Sequence, residues 1–179
     1  MNTGVLQVED KMKQNPHQTQ LLKSIQNLGR TPSIWRVFSD FVEITALAIA
    51  NTVDKSQFEK REKQYLETIN KYNADERPQL ADMYEQLAHA LNYELTTNNA
   101  PADVLGKVFH ELELHNHYSG QFFTPQHMCN MMGAMALHDS IGEIEKRGFI
   151  GALEPACGSG AMILGFAKAM LDADLNYGS

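Results

Sequence analysis

The chain has 179 residues, 43% hydrophobic and 21% charged, enough apolar material for a packed core in one domain or two small ones, which excludes general disorder. Its formal charge of −7 comes from 15 basic and 22 acidic residues, with residues 100–179 the more acidic part, so no basic stripe marks a duplex-binding face. Two cysteines, Cys129 and Cys157, exclude a disulfide scaffold and fit a reducing, cytoplasmic setting; no apolar run approaches the ~18 residues of a membrane span, and residues 1–10 lack the pattern of a secretion signal.

In chain order, Leu21, Leu22, Ile25 and Leu28 recur at helical spacing and stop at Gly29, predicting a first helix that ends there. Thr31-Pro32-Ser33 opens a second, in which Trp35, Val37, Phe38, Phe41, Val42, Ile44, Leu47 and Ile49 occupy nearly every face. A helix apolar all round is a buried one, so this segment is expected at the centre of a bundle, with Trp35 in the core. Ser56 and Glu59 have capping-box spacing ahead of a stripe of Phe58, Tyr65, Leu66, Ile69 and Tyr72, and the mixed charges of residues 59–63 form that helix's solvated face. A fourth helix is expected after Pro78, with Leu80, Tyr84, Leu87, Leu91 and Leu95 along its packed side.

The polar, proline-terminated run Thr97-Asn98-Asn99-Ala100-Pro101 is the best boundary, dividing the chain into residues 1–100 and 101–179. Beyond it Asp103 is placed to cap a helix carrying Val104, Leu105, Val108, Phe109, Leu112 and Leu114. Thr124 as N-cap and Pro125 as first helical residue predict another helix, rich in methionine at 128, 131, 132 and 135 and suited to a plastic core or a partner surface. Residues 149–153 (Phe-Ile-Gly-Ala-Leu) read as one short buried strand, and residues 161–171 as a helix with Met162, Ile163, Phe166 and Met170 on its apolar face.

Two motifs carry the chemistry. Glu154-Pro155-Ala156-Cys157-Gly158-Ser159-Gly160 places an acid at a strand end, then a glycine turn, then a helix start, the arrangement in which doubly wound sheets bind nucleotide-like ligands. It lacks a phosphate-loop lysine and the full dinucleotide fingerprint, and its acid would repel a phosphate but suits an amino group. Gly120-Gln121-Phe122-Phe123-Thr124-Pro125 supplies a second helix start, whose amides suit a carboxylate. Each alone is open to a plainer reading, a tight turn or a capped helix with two core phenylalanines.

Together and in this order, the motifs resemble those of the N6-adenine DNA methyltransferases of type I restriction–modification systems and related orphan enzymes. Phe38-Ser39-Asp40-Phe41 and Asp103-Val104-Leu105-Gly106 resemble that family's helical leader. The fold this implies is mainly α, an N-terminal helical bundle followed by the first βα unit of a Rossmann-like S-adenosylmethionine methyltransferase domain. The resemblance implies S-adenosylmethionine as cofactor, with Gln121, Phe122, Phe123, Thr124, Pro125, Glu154, Pro155, Ala156, Cys157, Gly158, Ser159 and Gly160 around it. Thr124 and the amides of the following helix would hold the methionine carboxylate, Phe122 and Phe123 would wall the pocket, and Glu154 would face the ammonium. Gly158 and Gly160 would admit the cofactor where a Cβ would collide.

The departures weigh equally. The acid that binds the ribose hydroxyls is expected ~20 residues past the glycine loop, where this sequence stops; Asp172 and Asp174 come too early. The family's Asn/Asp-Pro-Pro-aromatic motif, which accepts hydrogen bonds from the flipped adenine's amino group, is absent, since no two prolines are adjacent. No catalytic residue is therefore assigned, and the chain by itself is expected not to methylate DNA. Contact with DNA would run through parts missing from this chain or through a partner subunit. The alternative is a non-catalytic helical interaction module with a vestigial pocket.

Other chemistry is disfavoured. His110-Glu111 with His115 has a five-residue spacing that a zinc helix does not use, so no metal is assigned, and Cys157 has no basic neighbour to make it a nucleophile. The lone strand at 149–153 leaves both edges unpaired. Residues 149–171 are accordingly expected either to contact a second copy, as in a homo-oligomer, or to dock as a helix against the 125–137 helix.

Overall fold

The computed structural model describes residues 14–29, 33–114 and 123–175, and among these it contains helices and no strand. The elements are α1 (Pro16–Leu28), α2 (Ile34–Val53), α3 (Phe58–Ile69), α4 (Arg77–Thr97), α5 (Val104–Glu111), α6 (Gln126–His138), α7 (Ile141–Arg147) and α8 (Ala161–Asp172). The mainly helical expectation holds. The first βα unit does not form, because residues 149–153 run irregularly, with Phe149 and Leu153 exposed. A strand needs a hydrogen-bonding neighbour, and no other described segment is extended to supply one.

Helices α1 to α5 enclose one core. Leu21 and Ile25 of α1, Val37 and Phe41 of α2, Met83 and Ala90 of α4, and Val108 of α5 are all fully buried in it. Asn15 starts α1 by accepting the N–H groups of His17 and Gln18, and Ser33 starts α2 by accepting that of Arg36. The second helix is not buried all round. Val37, Phe38, Phe41 and Ile44 form its packed face, Trp35 is half-buried with its ring 6.1 Å from that of Phe109, and Ile49 and Val53 are exposed.

Two smaller expectations are corrected. Ser56 and Glu59 form no capping box, and Gln57, the N-cap residue of α3, makes no side-chain cap. Instead the Ser56 N–H and hydroxyl both donate to Asp54, which also meets Arg61 and is held at about 2 by those bonds. In α4 the packed line is Leu80, Met83, Leu87, Ala90 and Glu94, while Tyr84, Leu91 and Leu95 face solvent. At 100° per residue the expected line and the packed line are each a single stripe, but the packed one is turned by roughly 60° about the axis, toward α1, which covers it. That face includes Glu94, 2% exposed, which accepts from Asn15 Nδ2 at 3.0 Å and Asn98 Nδ2 at 2.8 Å and lies 4.0 Å from Lys107 Nζ. These donors on α1, α5 and the end of α4 are what let a carboxylate sit at the joint.

Helix α8 docks against α6, as one of the two expected outcomes for residues 149–171 required. The two helices cross on small residues: a Cβ on Gly133 would lie 2.5 Å from the backbone of Gly165, and one on Gly165 would lie 2.4 Å from the carbonyl oxygen of Cys129. Cys129, Gly133 and Leu137 of α6 and Ala161, Gly165 and Ala169 of α8 are the buried residues of the pair. The methionines of α6 point away from this seam, with Met128, Met131, Met132 and Met135 exposed.

Candidate functional site

The residues of the second motif form a tight turn ahead of α8. The Gly160 N–H donates to the Cys157 carbonyl at 2.7 Å, with Gly158 at φ +53° and Gly160 at φ +85°. Both angles lie in the left-handed region that a side chain disfavours, which explains glycine at both positions. Glu154 is half-buried, and its Oε1 accepts the Ala156 N–H at 2.9 Å. Pro155, Ala156 and Cys157 are exposed.

Of the first motif, Gln121 and Phe122 lie outside the described residues. Phe123 is half-buried and joins the bundle core, its ring 4.9 Å from Phe109 and 5.7 Å from His110. Thr124 does not cap the helix, which begins one residue later than expected, at Gln126. Pro125 takes the N-cap position with an extended ψ of 139°, and no side chain caps the helix. The Thr124 carbonyl instead receives the Cys129 thiol, Sγ to oxygen 3.6 Å. Burial, followed by the charge of Asp103, raises the Cys129 pKa, so this thiol stays protonated and inert.

The two motifs meet. A Cβ on Gly158 would lie 3.4 Å from Phe123 Cδ1, so the aromatic ring packs directly on the glycine turn. Since Phe123 meets Gly158 ahead of both helices, and Cys129 and Gly133 meet Gly165 within them, α6 and α8 begin at the same end of their pair. Neither helix start has a side-chain cap. Two helix N-termini at one end present amide donors and positive potential together.

Asp103 ties this end to the bundle. Its Oδ1 accepts the Gly106 N–H at 2.7 Å and its Oδ2 accepts the Ser159 hydroxyl, while its own N–H donates to Gln126 Oε1 at 3.1 Å. Gln126 in turn donates from Nε2 to Asn130 Oδ1 at 2.8 Å. One capping carboxylate thus contacts the glycine turn, α5 and the start of α6. Beside it lies a cavity of about 540 Å³, lined by Lys107 and His110 of α5 and by Phe123, Thr124, Pro125 and His127. No residue of the glycine turn lines this cavity; the turn adjoins it only through Phe123 and Asp103.

Asp103 is legible in the sequence as a cap, but its reach to a serine 56 positions later is not. Lys107 and Gln126 carry no local signal at all. Among the described residues no group of three or more His, Cys, Asp or Glu side chains is arranged to hold a metal ion. No helix of the described residues is long and apolar enough to cross a membrane. No protein-family model, curated protein or solved structure matches the chain.

Proposed function

We propose that the chain is the N-terminal, cofactor-facing portion of an S-adenosylmethionine-dependent DNA adenine-N6 methyltransferase that works in the cytoplasm. In this reading residues 1–100 are a helical leader and residues 101–179 begin the methyltransferase domain. The strand at 149–153 then forms only when a neighbouring strand pairs with it. The adenine-binding motif, and the contacts with DNA, belong to a segment or subunit that this chain does not contain.

The observation that carries the reading is the packing of Phe123 on Gly158, which unites two motifs separated by some thirty residues at a common end of two uncapped helices. The residues present fit the methionine end of the cofactor. Open space surrounds the Gly160 Cα, with nothing within 4 Å of a Cβ there, and the neighbouring cavity of about 540 Å³ lies in the range of small-molecule sites. The amides at the start of α6, beside Thr124, would hold the carboxylate, and the Glu154 carboxylate would accept the ammonium. Bound cofactor supplies an activated methyl group on sulfur. The protein's part is to orient that group and exclude water, with Phe123 as an apolar wall and the glycine turn as the floor.

An NMR titration of the full chain with S-adenosylmethionine tests this. Amide shifts are expected in residues 123–130 and 154–162, with a dissociation constant weaker than ~100 μM because the ribose acid is missing. Shifts confined to other residues, or none at millimolar cofactor, would overturn the reading; methyl transfer to DNA by this chain alone would overturn its inactivity.

A second reading, a non-catalytic assembly module, is favoured by the exposed methionines of α6, of which Met135 is 65% exposed. It predicts self-association or partner capture with no response to cofactor.

A further inference from the structure

Helix α6 keeps most of its large apolar side chains in solvent. Met128, Met131, Met132 and Met135 share one face of it, each 40–65% exposed. The seam with α8, along Cys129, Gly133 and Leu137, lies roughly 150° away around the helix, so the docking of α8 leaves this face open. No Asp, Glu, Lys or Arg occurs in residues 126–138, whereas the chain as a whole carries a net charge of −7. Methionine is unbranched and flexible, so a face built of it adapts closely to whatever covers it.

Two observations make a second copy of this chain the occupant. The first is spacing. The four methionines are separated by steps of three, one and three residues, the same order from either end. A two-fold axis between positions 131 and 132 therefore brings Met128 onto Met135 of the other copy and Met131 onto Met132, the self-complementary pattern of an isologous contact. The second is charge. Asp139 is exposed and continues the same face one turn beyond Met135. Antiparallel pairing sets it at the start of the other copy's α6, where no side chain caps the amides and Thr124 is exposed. The helix dipole favours a carboxylate there, and no acid lies between the two ends to repel the other copy.

We propose that the methionine face of α6 pairs with the same face of a second copy, antiparallel about a two-fold axis, with Asp139 of each copy capping the other's α6. A face of this extent sits at the low end of specific interfaces, roughly 1,000 Å² in total, which fits a weak, reversible dimer. This pairing is independent of the methyltransferase reading. Where both hold, Asp139 and the cofactor's carboxylate compete for the same amides, so association is measured without cofactor.

The test is sedimentation equilibrium of the full chain from ~5 to ~500 μM, where a monomer–dimer equilibrium with a dissociation constant of about 10–100 μM is expected. Met132→Lys, at the centre of the face, should leave a folded monomer, as judged by circular dichroism; Met135→Lys replaces it should that variant unfold. Leu66→Lys, an exposed apolar position on α3, should leave the dimer unchanged. Asp139→Asn should weaken association several-fold, and ~0.5 M salt should weaken the wild type more than this variant. Register is read by mixing: Met128→Lys and Met135→Glu should each associate poorly alone and form a heterodimer together. A monomer throughout the range, undiminished association of the folded face variants, growth past the dimer, or no gain on mixing would each overturn the proposal.

Discussion

Asp40 shows how one buried side chain organises its surroundings. Its carboxylate, on the packed face of α2, accepts from the Tyr72 hydroxyl and from Lys71 Nζ, each at 2.9 Å, and lies 3.6 Å from Arg36 Nε. Burial, reinforced by the bond to Asp40, pushes the Tyr72 hydroxyl well above the ordinary tyrosine range. A raised folded-state pKa means that the folded chain keeps a proton the unfolded chain would release. Stability from this pair is therefore complete below the unfolded value of ~10 and is lost as pH rises beyond it. Urea unfolding of the wild type should weaken above that pH. Tyr72→Phe should be less stable by about 1 kcal/mol at neutral pH and should lose less on alkalinisation, because the group being titrated is gone. An identical alkaline slope in the two proteins would show that Tyr72 does not ionise on unfolding in this way. The Arg36 contact, one turn away on the same helix, is within reach of a local pattern; the Tyr72 and Lys71 partners come from the α3–α4 turn and are not.

At the level of elements, the α6–α8 pair rests on close backbone contact, with Leu137 the one bulky apolar residue among the buried residues of the seam. Gly165→Ala gains helix propensity of about 1 kcal/mol, yet its Cβ would lie 2.4 Å from the Cys129 carbonyl oxygen, a backbone atom that cannot swing aside. The helices must separate, and overpacking of this kind costs about 1–3 kcal/mol, so the net effect should be destabilising. Gly142→Ala is the matched control on α7, where nothing lies within 4 Å of the new methyl group, and it should be neutral or stabilising by up to about 1 kcal/mol. Hydrogen exchange of the α6 and α8 amides reads both variants; equal protection in the two would refute a seam set by backbone approach. In sequence, Cys129, Gly133 and Leu137 against Ala161, Gly165 and Ala169 are two four-residue repeats of mostly small side chains. The methionines and larger residues between them dominate a reading based on hydrophobicity.

For the whole molecule, the α1–α5 core and the C-terminal pair are joined by Phe123, inserted between Phe109 and the glycine turn, and by the Asp103 hydrogen bonds to Ser159 and Gln126. Asp103→Ala removes the α5 cap, worth about 0.5–2 kcal/mol, together with the acceptor for Ser159. It should raise exchange in residues 126–172 more than in α1 and α2, because the bundle retains its core. Ser159→Ala, which leaves the cap intact, should loosen only the glycine turn. Equal exchange throughout in Asp103→Ala would mean that the joint carries no particular weight. The same joint governs the candidate site, since it holds the turn against the start of α6.

Much of the bundle was legible from local chemistry. The helix starting at Ser33, the stop at Gly29 and the Asp103 cap follow from cap preferences that act within a few residues. Of the run at 59–63 only Glu59, Lys60 and Lys63 are solvated, since Arg61 turns in to the Ala50 and Asp54 carbonyls and Glu62 meets Asn51. Which face of α2 or α4 is buried was decided by the tertiary structure, because neighbours determine burial: Glu94 belongs inside only once Asn15 and Asn98 reach it, and Leu91 and Leu95 lie outside for want of a neighbouring helix. The order and spacing of the two motifs were also legible, but the contact of Phe123 with Gly158 and the bond from Asp103 to Ser159 were not. Those depend on how α6 and α8 cross, and that crossing is set by backbone approach at Gly133 and Gly165. The strand expected at 149–153 does not form and marks the opposite case. Its sequence favours extended structure, yet a strand is completed only by hydrogen bonds to a neighbour, and these lie outside what the segment itself can determine.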